Sequence, residues 1–123
     1  MTAVLIVEDD PLIAWSLSQT ISDEVGADVI VATNSVGAEE HLADNLDFAL
    51  LDVNIGDGTT FALARRLAER GVPFAFASGS SRSVVPPDLM AAPFLSKPCR
   101  TGLVSKTIRG ALASTPLPSK RQL

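Results

Sequence analysis

Four segments of the sequence place polar or charged residues directly after a short apolar run. They read VLIVEDD, LLDVN, FAFASG and FLSKP, and they contribute carboxylates, a hydroxyl and an ammonium. If the apolar runs are neighbouring parallel strands, these groups meet at one rim, because functional groups collect at the carboxyl ends of such strands. Clustered carboxylates repel one another, and a hard cation such as Mg²⁺ relieves that repulsion through oxygen ligands. The pattern therefore predicts an acidic site that holds a divalent cation.

The elements that position these groups follow from hydrophobic periodicity. Short apolar blocks alternate with segments whose apolar residues recur at helical spacing, as Ile13, Leu17 and Ile21 do. This alternation predicts a parallel sheet with helices on both faces. The predicted strands are 3–7, 29–32, 48–52, 74–77 and 94–96.

Helix boundaries are indicated by capping and breaking residues. Pro11 suits a first helical turn, Gly26 and Gly71 end helices, and either Asn34 or Ser35 can cap the second helix. Val104, Ile108 and Leu112 form the stripe of the last helix, and 53–60 is expected to be a loop. Segment 82–93 is the least regular, since Pro86 and Pro87 forbid a regular helix across them. A short helix over 87–92 remains open.

Composition restricts the class of protein. The chain has 123 residues, 46% hydrophobic and 20% charged, which is typical of one globular domain. A net charge of −4 disfavours nucleic acid and anionic membranes as partners. The single cysteine cannot form an internal disulfide, the apolar runs are too short to span a membrane, and no secretory signal is recognisable. We expect a reduced, cytoplasmic setting, with a domain at 1–114 and a flexible tail at 115–123.

The order and spacing of VLIVEDDP, LLDVNIGDG, FAFASG and FLSKP resemble a response-regulator receiver domain of bacterial two-component signalling. The resemblance covers about residues 3–114. It implies a flavodoxin-like α/β/α fold with a five-stranded parallel sheet in the order 2-1-3-4-5. The proline-rich segment 82–93 departs from the family and implies an atypical fourth helix. Gly56 stands where many receivers have proline, which favours a looser loop after Asp52.

The resemblance also implies roles for the acidic residues. Asp52 would be the phosphoacceptor. Asp9 and Asp52 would ligate Mg²⁺ directly, together with the backbone carbonyl of Asn54, and Glu8 would act through metal-bound water.

The remaining family roles fall on the later strands. Lys97 and the Ser78 hydroxyl would contact the phosphoryl group, as would the backbone N–H groups of Asn54 and Gly79. Ser78 and Phe94 would form the switch, and the peptide bond between Lys97 and Pro98 would be cis.

The function implied is that of a stand-alone phosphoacceptor rather than an enzyme. A histidine kinase or histidine phosphotransfer protein would be the donor, and a changed protein-binding surface or onward transfer would be the output. The chain would be a monomer or weak homodimer in the bacterial cytoplasm, with no nucleic-acid or membrane partner.

Two alternatives remain open. One is an interaction module that does not need phosphorylation. The other is a dehalogenase-like phosphatase, which is disfavoured because Asn54 stands where a second carboxylate is needed.

Several other residues receive simple structural interpretations. Trp15 is expected to pack beside the stripe of the first helix, and Cys99 to be a small packed residue. His41, Arg65 and Arg66 are expected to be solvated surface groups.

Overall fold

The structure, a computed structural model, describes residues 2–56 and 58–114. The predicted tail at 115–123 lies outside the described residues. The strands are β1 (Ala3–Val7), β2 (Asp28–Ala32), β3 (Phe48–Asp52), β4 (Asn54–Ile55), β5 (Gly58–Thr59), β6 (Phe74–Ser78) and β7 (Phe94–Ser96). The helices are α1 (Pro11–Val25), α2 (Ser35–Glu40), α3 (Phe61–Glu69) and α4 (Thr101–Ser114).

Five of the strands form one parallel sheet in the order β2-β1-β3-β6-β7. This is the order that the resemblance implied, with β6 and β7 as fourth and fifth strands of the sheet. Central strand β1 is buried on both faces, and Val4 to Val7 have no exposed surface. The continuous apolar run, rather than an alternating one, reflects this double burial.

The core has one layer on each side of the sheet. Val4 and Ile6 pack with residues of α1 and α4, whereas Leu5 and Val7 pack with residues of α2 and α3. Successive residues of a strand point to opposite faces, so a one-residue change of register would invert both layers.

Helix α1 begins and ends at the residues that the sequence indicates. The Asp10 Oδ1 atom accepts hydrogen bonds from the N–H groups of Leu12 at 2.9 Å and Ile13 at 3.3 Å. Gly26 ends the helix in the left-handed conformation, with φ of +74°. For α2, the capping residue is Asn34, whose Oδ1 accepts from the N–H of Gly37 at 2.7 Å.

Two connections differ from the sequence-based expectation. The expected loop 53–60 contains the antiparallel pair β4–β5, with Asn54 opposite Thr59. Segment 82–93 forms two 3₁₀ turns, Arg82–Val84 and Pro87–Leu89, rather than a helix over 87–92. Because a residue before proline is driven to extended backbone, Val85 has ψ of 131° and Pro86 has ψ of 151°. The described residues therefore contain four α-helices, and the predicted atypical fourth helix is replaced by these turns.

The expectation that Trp15 packs against the core is wrong. Trp15 is 65% exposed, because Ala14, Leu17 and Ile21 form the buried face and Trp15 points away from it. Arg65 is exposed, as expected, and its Nε and Nη2 atoms donate to the exposed Asp88 carboxylate at 2.8 and 3.1 Å.

The other surface residues have local partners. Arg66 pairs with Glu39, and the Nδ1 atom of half-buried His41 lies 2.9 Å from an Asp44 oxygen. Half-buried Cys99 packs against the α1–α4 side of the core, as expected. Among the described helices, none has both the length and the hydropathy of a membrane span.

Two leucines of α1 offer a matched test of this packing. Leu17 is 9% exposed and Leu12 is 77% exposed. We expect Leu17→Ala to lower the free energy of unfolding by about 2–5 kcal/mol, because it leaves a cavity in the core. Leu12→Ala is expected to change it by less than about 0.5 kcal/mol. Urea denaturation followed by circular dichroism measures both, and equal losses would contradict the assigned faces of α1.

Candidate functional site

The register of the sheet brings the polar strand ends to one edge. Val7 pairs with Leu51, so Glu8 lies beside Asp52 at the ends of β1 and β3. Ser78 ends β6, which is the neighbour of β3 on the other side. Because the strands are parallel and their ends align, residues far apart in sequence share one rim. The convergence expected from the four segments is therefore present.

Lys97 contacts the carboxylates at the ends of both β1 and β3. Its Nζ atom lies 2.5 Å from Glu8 Oε1 and 3.0 Å from Asp52 Oδ2. The Lys97 N–H donates to the Ser78 carbonyl at 2.9 Å, so the ammonium is positioned from the edge of β6. The peptide bond between Lys97 and Pro98 is cis, as the resemblance implied.

Burial strengthens these contacts. The side chains of Lys97, Asp52 and Glu8 are 18%, 11% and 3% exposed. Burial raises the pKa of the Glu8 carboxyl, and the hydrogen bond from Lys97 offsets only part of that rise. Burial by itself lowers the pKa of Lys97, but the hydrogen bonds to Glu8 and Asp52 outweigh it and hold this pKa above its ordinary value. Lys97 is therefore a fixed positive charge at neutral pH.

Glu8 is held at both ends of its carboxylate. Oε1 accepts from Lys97, and Oε2 accepts from the N–H of Asp10 at 3.0 Å. The Glu8 N–H in turn donates to the Ala32 carbonyl at 3.0 Å, which extends the pairing of β1 with β2. The two hydrogen bonds to its oxygens fix the orientation of the Glu8 carboxylate.

The carboxylates fit a divalent cation. One oxygen each of Glu8, Asp9 and Asp52 lies within 4.8 Å of the others, and Asp9 is exposed at the mouth of the cluster. Three carboxylates and the Lys97 ammonium leave a formal charge of −2, opposite to that of Mg²⁺. An all-oxygen set of few carboxylates open to water suits Mg²⁺. The individual ligand roles, including that of the Asn54 carbonyl, stay predictions.

The predicted contacts to a phosphoryl group lie around this cluster. Ser78 is 2% exposed, and its Oγ accepts from the N–H of Ser80 at 3.0 Å. The Asn54 Nδ2 atom donates to Ser80 Oγ at 3.4 Å, which links the loops after β3 and β6. Gly79 lies exposed between Ser78 and Ser80. Half-buried Phe94 on β7 pairs with Phe76 on β6 and packs on the α2–α3 side of the core. The switch roles of Ser78 and Phe94 stay predictions.

Sequence reasoning missed Thr60. This residue has no exposed surface, and its Oγ1 donates to the backbone carbonyl of Asp52 at 2.6 Å. A threonine before a helix indicates an N-cap, but Thr60 makes no side-chain capping bond to α3. No local pattern identifies this contact, because it joins residues eight positions apart without helical or strand periodicity between them.

No family model and no curated protein sequence gives a significant match. Among solved structures, SdrG from Sphingomonas melonis Fr1 is 34% identical at a TM-score of 0.78, covering 91% of this chain and 97% of its own. The PhyR response regulator REC domain from Erythrobacter litoralis is 28% identical at a TM-score of 0.82, covering 95% and 94%.

A CheY-like response regulator receiver domain protein from Methanospirillum hungatei JF-1 is similar in fold, with 22% identity and a TM-score of 0.83 over 94% of this chain and 96% of its own. The structural likeness spans nearly the whole length of each chain. The PhyR domain is, in addition, 28% identical to this chain in sequence. The chain therefore belongs to the CheY-like response-regulator receiver domains.

Proposed function

We propose that the chain accepts a phosphoryl group on Asp52 from the phosphohistidine of a histidine kinase or histidine phosphotransfer protein. One observation carries the proposal. The Lys97 ammonium lies 3.0 Å from an oxygen of Asp52, in a carboxylate cluster that fits a divalent cation. A carboxylate can act as a nucleophile, and a nearby cation can stabilise the charge that develops during phosphoryl transfer.

The transfer forms a bond between an Asp52 oxygen and phosphorus and breaks the bond between phosphorus and the histidine nitrogen. The imidazole leaves with the electron pair of that bond. Negative charge spreads over the three equatorial oxygens, so positioning and charge stabilisation contribute most of the catalysis. Lys97 donates to one oxygen, and the Ser78 hydroxyl with the N–H groups of Asn54 and Gly79 orients the others.

Asp9 and Asp52 would hold Mg²⁺ with the Asn54 carbonyl, and Glu8 would act through a water. The bound ion supplies a Lewis acid for the phosphoryl oxygens. The chain itself is modified on Asp52, and water later cleaves the aspartyl phosphate to release inorganic phosphate and restore the carboxylate. We therefore propose a phosphoacceptor and not an enzyme.

The output would follow from the added charge. A phosphoryl group brings about two negative charges and strong acceptor oxygens to the rim. If these draw Ser78 inward, the loop after β6 shifts and Phe94 gains room to turn. The surface formed by segment 82–93, β7 and α4 would change, and a partner protein would recognise it. Monomer or weak homodimer formation and a cytoplasmic location stay predictions.

The alternatives differ in what they require. An interaction module needs the fold but not a charged Asp52. A dehalogenase-like phosphatase needs an acid–base carboxylate two residues after the nucleophile, where this chain has the amide of Asn54. The intact set of Asp52, Ser78 and Lys97 favours phosphorylation over both.

The first test is stoichiometric. We expect incubation with acetyl phosphate and Mg²⁺ to add one phosphoryl group to the wild-type chain, measured by intact-protein mass spectrometry. Asp52→Asn removes the nucleophilic carboxylate and is expected to abolish the addition. Asp28→Asn is the control, because Asp28 is exposed at the start of β2, at the opposite edge of the sheet.

The same variants separate the alternatives. A partner isolated with the wild-type chain that binds Asp52→Asn equally well, phosphodonor or not, would favour the interaction module. Steady release of phosphate from a phosphomonoester would favour the phosphatase.

A second test concerns the cation. Asp9 is exposed, so Asp9→Asn is expected to fold normally while removing one oxygen charge from the cluster. We expect Mg²⁺ affinity to fall by at least about ten-fold, the size seen even when an outer-shell partner of a metal is removed. Isothermal titration calorimetry measures the affinity, with Asp28→Asn as the control. Unchanged binding in Asp9→Asn would contradict the assigned site, as would phosphorylation that continues after the metal is removed with EDTA.

A further inference from the structure

We propose that Thr60 is a positioning residue for Asp52, whose hydroxyl fixes the backbone of the phosphoacceptor and the loop that follows it. The proposal rests on the proposed function of Asp52 for its kinetic consequence. Its structural part stands on the contacts of Thr60 alone.

Thr60 connects the phosphoacceptor to the first turn of α3. Its Oγ1 donates to the Asp52 carbonyl at 2.6 Å, and its N–H donates to the Val53 carbonyl at 3.0 Å. Its own carbonyl accepts from the N–H of Ala64 at 2.9 Å. Three bonds of one buried residue therefore join the end of β3 to a helix that is packed in the core.

The Thr60 hydroxyl does not make the helix-capping hydrogen bond that is usual for threonine at this position. Thr60 is the N-cap residue of α3, where a threonine side chain ordinarily accepts from the backbone of the helix. Here the side chain makes no capping bond and donates to Asp52 instead. A fully buried hydroxyl needs a partner, so this bond determines where the side chain points.

The segment closed by Thr60 needs such a fixation. It carries Asn54, whose carbonyl and N–H we assign to the cation and the phosphoryl group. It also contains Gly56, at a position where many receivers have the more rigid proline, and Gly58, whose φ is +133°. Two glycines raise the conformational freedom of the loop. The pairing of Asn54 with Thr59 and the bonds of Thr60 restrict it again.

Hydroxyl and packing effects can be separated by substitution. Thr60→Val keeps the shape of the side chain and removes the hydroxyl, whereas Thr60→Ser keeps the hydroxyl and removes the methyl group. Thr107→Val is the control for loss of a threonine hydroxyl elsewhere, because Thr107 Oγ1 donates to the Leu103 carbonyl at 2.8 Å in an exposed bond within remote helix α4.

The experiment measures the rate of phosphorylation by acetyl phosphate at saturating Mg²⁺, together with hydrogen exchange of the amides of residues 53–59. We expect Thr60→Val to lower the rate by about ten-fold or more, since small displacements of reacting groups have large effects on rate. We expect faster exchange in the same variant. Thr60→Ser and Thr107→Val are expected to retain both wild-type values, even if their melting temperatures fall.

The outcomes are distinct. Wild-type rate and exchange in Thr60→Val would overturn the proposal, and so would a Thr60→Ser variant as impaired as Thr60→Val. If Thr60→Val does not fold, Thr60→Cys replaces it, and its weak S–H donor is expected to give a lower rate than Thr60→Ser. A Cys variant equal to the Ser variant would count against the hydroxyl.

Failure of the underlying function has its own signature. If the wild-type chain takes no phosphoryl group, the function of Asp52 is contradicted. The exchange measurement then still decides whether the Thr60 hydroxyl fixes the loop.

Discussion

The ammonium of Lys97 is the interaction on which the rim of the sheet depends. Glu8 and Asp52 place two carboxylates in a nearly buried position, where an unpaired charge is strongly destabilising. Lys97 contacts both, from 89 and 45 residues away in the sequence. These contacts form only when β1, β3 and β7 have their native order. They therefore depend on the correct fold, and they also position the carboxylates of the candidate site. The hydrogen bond from the Lys97 N–H to the Ser78 carbonyl fixes the backbone of Lys97, so its ammonium is held close to both carboxylates.

One positive charge does not neutralise the cluster. With Asp9 at its mouth, the rim keeps an excess of negative charge. That excess opposes folding through repulsion, and it would favour the binding of a divalent cation at the proposed site. Ligands that bind only the folded state stabilise it, so binding of the proposed Mg²⁺ would offset the repulsion that weakens the free rim. The stability of the rim and its proposed function therefore depend on the same few side chains.

The sheet and the polar residues at its edge can be predicted from the sequence, because each strand repeats the same local pattern. Continuous apolar runs identify buried parallel strands, and the polar residue after each run falls at the shared edge. What the sequence does not reveal depends on contacts between segments without periodicity. The β4–β5 pair, the turns in 82–93 and the Thr60 hydroxyl are of this kind. The sequence places Trp15 beside the apolar stripe of α1, but the helical phase of α1 turns this side chain towards solvent.

The two halves of the connection between β6 and β7 differ in how firmly they are attached to the core. Val85 and Leu89 are 4% and 5% exposed and hold the second half of this connection to the core. Residues 79–84 are almost entirely exposed, apart from half-buried Ser80. Moving the whole connection would expose both anchors, at about 1.5–3 kcal/mol for each large apolar side chain. Moving residues 79–84 alone exposes little apolar surface. A change that begins at Ser78 therefore needs far less free energy to displace the loop directly after β6 than to displace the turn at Pro87–Leu89.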